Sequence, residues 1–191
     1  MVATIEQKVT WDEYRNMEFD DHDLFIYELL NGNLVRRTAP SVKHQNVITN
    51  LIISMGVFNR EKKMGRIFTA PIDVYFDGKN GVQPDLIFIK TERLFIIENE
   101  DYVNGAPDLI IEVISPGSIR RDRVDKKDLF EQFAVKEFWL IDPQNKTIEI
   151  YTMENNAYRL HEFQEQEGKI TSLVLEGFEI DVKDVFESSA I

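Results

Sequence analysis

The feature that most constrains this chain is a carboxylate set inside an apolar run. Leu109-Ile110-Ile111-Glu112-Val113-Ile114 is hydrophobic at every position except Glu112. A short apolar run of this kind reads as a buried strand. A carboxylate is rarely buried without a partner, because its lost hydration must be replaced. Glu112 therefore requires a cation or a hydrogen-bond donor from elsewhere in the fold.

A second segment repeats the pattern. Pro84-Asp85 precedes Leu86-Ile87-Phe88-Ile89, as Pro107-Asp108 precedes Leu109. Pro-Asp at a strand start is also ordinary turn chemistry. Alternate strand residues share a face, so Asp108, Ile110, Glu112 and Ile114 point the same way. Asp108 and Glu112 are then roughly 13 Å apart, at about 3.3 Å per residue. That is too far to share one ion. Glu112 needs a partner from a neighbouring strand, for which Asp85 is the candidate. Asp108 is expected to cap the strand entrance or organise an adjoining loop. Two such carboxylates suit Mg²⁺ or Mn²⁺, hard ions that take one or two carboxylates and keep several waters. Such an ion activates water and stabilises developing phosphate charge.

The segment from Asp122 to Phe133 has helical periodicity. Asp122, Lys126, Leu129, Phe130 and Phe133 lie on one stripe. Lys126 is either half of an exposed i, i+4 pair with Asp122 or a lysine reaching inward to Glu112 and a phosphate. The apolar members of its stripe favour the second. Arg120, Arg121 and Arg123 flank the helix start beside Ser115-Pro116-Gly117-Ser118. They read either as a phosphate-holding loop or as a solvated charge run. His44, near a helix start, is a metal ligand, a general base or a structural histidine. His22 and His161 have no partner pattern. The chain has no Gly-rich phosphate loop, no HExxH and no GxSxG.

The remaining signals fit one mixed α/β (α+β) domain over 1–191, a central sheet with helices packed on it. Thr10-Trp11-Asp12-Glu13 predicts a capping box opening a short helix. Phe25 to Leu30 and Leu34 to Thr38 flank Asn31-Gly32-Asn33 as a hairpin. Ser41 opens a longer helix, with Gly65 as its expected end. Strands are expected at Arg66 to Thr69, Ile72 to Phe76, Leu86 to Lys90, Leu109 to Ser115, Glu137 to Asp142, Thr147 to Met153 and Tyr158 to Phe163. Asp77-Gly78 and Asn80-Gly81 read as turns. The tail from Ile170 to Phe186 reads as a short strand and a helical turn.

Of 191 residues, 43% are hydrophobic, enough for a folded interior. There is no apolar run of about 20 residues that would span a bilayer, and Met1 to Thr10 lacks a signal pattern. A cytoplasmic, non-membrane protein is the expectation. With no cysteine, thiolate zinc sites and cysteine nucleophiles are excluded. The net charge of −12 counts against a surface-wide nucleic-acid platform.

Taken together, Pro84-Asp85, Asp108 to Pro116 with Glu112, Asp122-xxx-Lys126-xxx-Phe130 and Val135 to Pro143 resemble an uncharacterised restriction-endonuclease-like family of the PD-(D/E)xK nuclease superfamily. Tyr27-Glu28 through Gly32, and His44, match its N-terminal half. The resemblance spans nearly the whole chain. It implies a restriction-endonuclease-like mixed sheet flanked by helices, with an N-terminal hairpin and C-terminal antiparallel strands. It implies Asp85 and Glu112 as metal ligands with the backbone carbonyl of Val113, and Glu28 as a further carboxylate at the site's edge. The superfamily's lysine normally stands two residues after the acidic residue. Here that position is Ile114, and Lys126 is the residue able to supply the ammonium. The expected function is a metal-dependent endonuclease-like phosphodiesterase acting on nucleic acid, DNA favoured, in which pairing into a homodimer is expected by analogy. The alternatives are a non-catalytic nucleic-acid or protein-binding module that keeps the fold, and a hydrolase of another phosphate ester.

Overall fold

The computed structural model describes residues 8–18, 26–37 and 39–187. The strand ends expected at Phe25 and Thr38, His22 and residues 1–7 lie outside the described residues.

Helix α1 (Trp11–Arg15) opens on the expected capping box. Glu13 N donates to Thr10 Oγ1, and Thr10 N donates to Glu13 Oε2. Strands β1 (Ile26–Leu30) and β2 (Asn33–Arg37) form the hairpin. The turn is shorter than expected: Asn31 and Gly32 both take positive φ, so two residues close it and Asn33 already pairs with Leu30. Helix α2 (Val42–Lys62) starts at the Ser41 cap, but Gly65 does not end it. Lys63 does, in the left-handed conformation. Gly65 instead begins β3 (Gly65–Thr69), where a Cβ would collide with the Ile89 carbonyl. Strands β4 (Val74–Asp77) and β5 (Asn80–Val82) follow. Asn80-Gly81 is strand, not turn, and Gly81 leaves room for the Trp11 ring.

Strand β6 (Leu86–Lys90) leads through a 3₁₀ turn to the short strands β7 (Ile97–Glu98) and β8 (Tyr102–Asn104), which the sequence pattern did not predict. After β9 (Leu109–Val113), the expected helix begins with a π-helical stretch, Arg121–Lys126, and continues as α3 (Lys127–Gln132). Then come β10 (Glu137–Asp142), β11 (Thr147–Glu154) and β12 (Ala157–Glu165). The tail holds two short strands rather than one, β13 (Lys169–Thr171) and β14 (Glu179–Asp181), before α4 (Val182–Phe186).

The strands form a central sheet of order β12-β11-β10-β9-β6-β3 and a second sheet of order β2-β1-β5-β4-β8-β7. The central sheet is mixed: β9 and β10 run parallel, and its other pairs are antiparallel. One face carries Leu86, Phe88, Ile111, Val113 and Trp139, packed under α2 and the C-terminal segment. The other carries Ile87, Ile110, Ile114 and Phe138, packed against Leu129 and Phe130 and the second sheet. The protein is thus a mixed sheet covered by helices on one side and by α3 and a smaller sheet on the other. Among the described residues, no helix is long and apolar enough to cross a membrane.

Candidate active site

Strand alternation decides where Glu112 points. Its neighbours Ile111 and Val113 face α2, so Glu112 lies on the opposite face with Ile110 and Ile114. There it is fully buried. Strand β6 pairs antiparallel with β9, Leu86 opposite Ile111, and one more step of that register sets Asp85 opposite Glu112. Asp85 is held firmly against β9, because Val113 N donates to its Oδ2 at 2.8 Å.

Lys126 arrives from the helical side. It has no exposed surface, and its Nζ donates to Glu112 Oε1 and to Glu28 Oε1, each at 2.7 Å. The π-helical stretch widens the turn that carries Asp122 and Lys126, and both side chains are buried. Asp122 sits beside Lys126, with Arg121 Nε 3.6 Å from its Oδ1.

Arg37 closes the network, a residue that the sequence pattern did not single out. Its Nη2 donates to Asp85 Oδ1 at 3.0 Å, and its Nη1 donates to the Gln83 carbonyl at 3.0 Å and reaches Glu28 Oε1 at 3.4 Å. The hairpin register explains this. Glu28 faces Val35 and Ile26 faces Arg37, which sets Glu28 and Arg37 diagonally on one face. Gln83 N also donates to Glu28 Oε1. On the cleft side, His44 Nε2 lies 3.0 Å from Asp85 Oδ2, while its Nδ1 has no partner among the described residues.

The electrostatics follow from this crowding. Four carboxyls (Glu28, Asp85, Glu112 and Asp122) face three fixed cations, Lys126, Arg37 and Arg121. Burial pushes the Glu112 carboxyl up to about 8; Lys126 opposes this, and Asp85 and Asp122 add to it. Burial likewise raises Asp122. For Asp85, burial acts upward, but the His44 hydrogen bond and Arg37 outweigh it and hold the carboxyl at about 2. For Glu28, Lys126 and Arg37 outweigh burial and lower it. Burial disfavours the Lys126 ammonium, but Glu112 and Glu28 outweigh it and hold the charge in place.

Other expected residues fall elsewhere. Asp108 lies at the far end of β9, where its Oδ2 accepts from Lys90 N and its Oδ1 from Lys136 Nζ, with Arg93 at 3.0 Å. It ties Lys90, Arg93 and Lys136 together at the opposite end of the strand from Val113. The three arginines do not act as one cluster. Arg121 lines the cleft. Arg123 is committed to Glu149 on β11, and Arg120 is exposed and does not line the cleft. Ile114, at the usual lysine position, is buried in the apolar core.

A cleft of about 380 Å³ opens over this network. Asp85, His44, Arg37 and Arg121 are in its wall, whereas Glu112 and Lys126 lie behind them.

Comparisons with known proteins agree with this architecture. The family model of Uma2, described as "Putative restriction endonuclease", matches residues 11–183. No curated protein matches the chain. The crystal structure of a protein from Anabaena variabilis ATCC 29413, described as "a putative nuclease belonging to DUF820", is similar at a TM-score of 0.74 and 18% identity, covering 93% of this chain and 97% of that one. That likeness shows the fold.

Proposed function

The chain belongs to the Uma2 family, described as "Putative restriction endonuclease", and we propose that it hydrolyses phosphodiester bonds of nucleic acid, DNA foremost, with Mg²⁺ or Mn²⁺. The observation that carries this reading is the meeting of Asp85, Glu112 and Lys126. They come from two neighbouring strands and a helix, with Lys126 bonded at 2.7 Å to Glu112.

The donor set fits a hard divalent ion. Glu112 Oε2 is buried with no hydrogen-bond partner among the described residues, and Oε1 is fixed by Lys126. Asp85 accepts three hydrogen bonds, which leaves it one of about four lone-pair positions. The carboxyls outnumber the fixed cations, and burial raises both Glu112 and Asp122. No group of three His, Asp or Glu side chains forms a metal cage among the described residues. Two carboxylates and the Val113 carbonyl, with waters completing the shell, are the kind of set Mg²⁺ accepts. The bound ion would supply an activated water and stabilise phosphate charge.

The chain's own residues prepare that site. Lys126 orients Glu112 and neutralises part of its field. Glu28 holds Lys126 from the other side. Arg37 and Arg121, at the cleft wall, offer guanidinium groups to a phosphate oxygen. His44 fixes Asp85.

A second reading has its own support: Asp85 is heavily engaged and Ile114 stands where a lysine is usual, which favours a binding module that keeps the fold without turnover. Titrating Mn²⁺ into the protein by calorimetry separates the two. The nuclease reading expects one binding event, lost in Glu112→Ala. Absence of binding in the wild type would overturn it.

A further inference from the structure

We propose that the cleft admits one nucleotide of an unpaired strand and excludes intact duplex, so that the substrates are single-stranded nucleic acid, tails and loops. This deepens the phosphodiesterase reading above and rests on it.

The first ground is depth. Glu112 and Lys126 have no exposed surface, and Asp85 is only 5% exposed. A phosphate must enter the cleft to approach them. In a duplex the backbone is held by base pairing and stacking, and drawing one nucleotide inward costs a few kcal/mol of unpairing. An unpaired strand avoids that cost.

The second ground is size. About 380 Å³ lies near the lower end of the ~300–1,000 Å³ range of pockets that enclose small molecules. That suits one nucleotide. A helix whose major groove alone is about 12 Å wide does not fit.

The third ground is the mixed chemistry of the lining. Arg37 and Arg121 line the cleft with Asp85. Ile48 and Ile52 of α2, with Pro40 and Pro71, add apolar surface to it. The first suits a phosphate, the second the face of a base. Such an apolar slot recognises a base without reading its pairing edge, so little sequence preference is expected.

The fourth ground is charge. With a net charge of −12, the protein has little to offer the six to ten phosphate contacts that hold a typical duplex binder, roughly. A few arginines at one cleft suffice for one or two phosphates.

The test uses the full chain with Mn²⁺ and end-labelled DNA: a single strand, a blunt duplex, and that duplex carrying an unpaired tail. Cleavage is expected in the single strand and within the tail, with the blunt duplex cut at least ~10-fold more slowly, the factor that about 1.4 kcal/mol of unpairing cost would produce. Equal cleavage of the blunt duplex overturns the inference and leaves the nuclease reading standing. Binding is measured in parallel by fluorescence anisotropy with Glu112→Gln, which removes turnover. Thr49→Trp, at an exposed α2 position on the cleft wall, narrows the slot without touching the carboxylates. It is expected to weaken binding of the single strand and not to alter the melting temperature. Preferential single-strand binding that Thr49→Trp abolishes, with no cleavage of any DNA, supports the cleft assignment and sinks the nuclease reading. No preference in either assay overturns the inference.

Discussion

A lysine with no exposed surface, bonded at 2.7 Å to each of two buried carboxylates, is a poor surface ion pair and a strong internal one. Removing it leaves Glu28 and Glu112 without their common cation. Lys126→Met should therefore cost about 3–5 kcal/mol in urea unfolding, the size typical of breaking a buried pair from one side. Glu112→Gln keeps the shape and mimics the protonated carboxyl that burial favours, so it should cost much less. Equal losses for the two would refute this view of the network. The pH dependence has a definite sign. The folded Glu112 carboxyl sits at about 8 against an ordinary 4.5, so between these values the folded state holds a proton that the unfolded chain releases. Stability in chelator should fall as pH rises from 5 to 8, and Glu112→Gln should flatten that fall. Asp85, held at about 2 against 3.8, acts oppositely and loses its contribution as pH drops below 4. Thermal melts across pH 3 to 9 read both.

At the level of elements, the legible features had strong local signals. Glu112 stood out because an apolar strand has no ordinary place for a carboxylate. Lys126 stood out because Leu129 and Phe130 fix its stripe. Asp108 was separable from the site by strand rise alone. Arg37 was not legible, because adjacent arginines at 36 and 37 do not reveal which one faces inward. That follows only from the two-residue turn and the register it sets. The π-helical stretch has no sequence signature, and β7 and β8 are too short to show periodicity. Glycines misled for a physical reason. Gly65 and Gly81 read as helix end and turn, yet each stands in a strand to admit a close neighbour. Gly65→Ala drives a methyl into the Ile89 carbonyl and should cost about 1–3 kcal/mol, the range for overpacking. Gly78→Ala, where nothing lies within 4 Å, should leave the unfolding midpoint nearly unchanged. Denaturation of the two variants side by side checks this.

For the whole molecule, the net charge is −12, while Arg36, Arg37 and Arg121 line the cleft beside Asp85. This division limits how the protein can grip a polymer. If only one or two phosphates are held, the salt slope of single-strand binding should be shallow, near −1, at about 0.7 per phosphate. A steep slope would point to an extended surface instead. The mixed sheet also sets how the site's side chains are placed. Asp85 and Glu112 are fixed by paired strands, Glu28 and Arg37 by a hairpin, and Lys126 by a helix packed on the same core. The most direct test of the proposed centre is the rate of Mn²⁺-dependent cleavage of a labelled single-stranded oligonucleotide by wild type and by Glu112→Gln, with equal folding checked by circular dichroism. The account predicts cleavage by the wild type and a loss of about 100-fold or more in the variant, the scale of removing one charge-stabilising group. Cleavage unchanged in Glu112→Gln would contradict it.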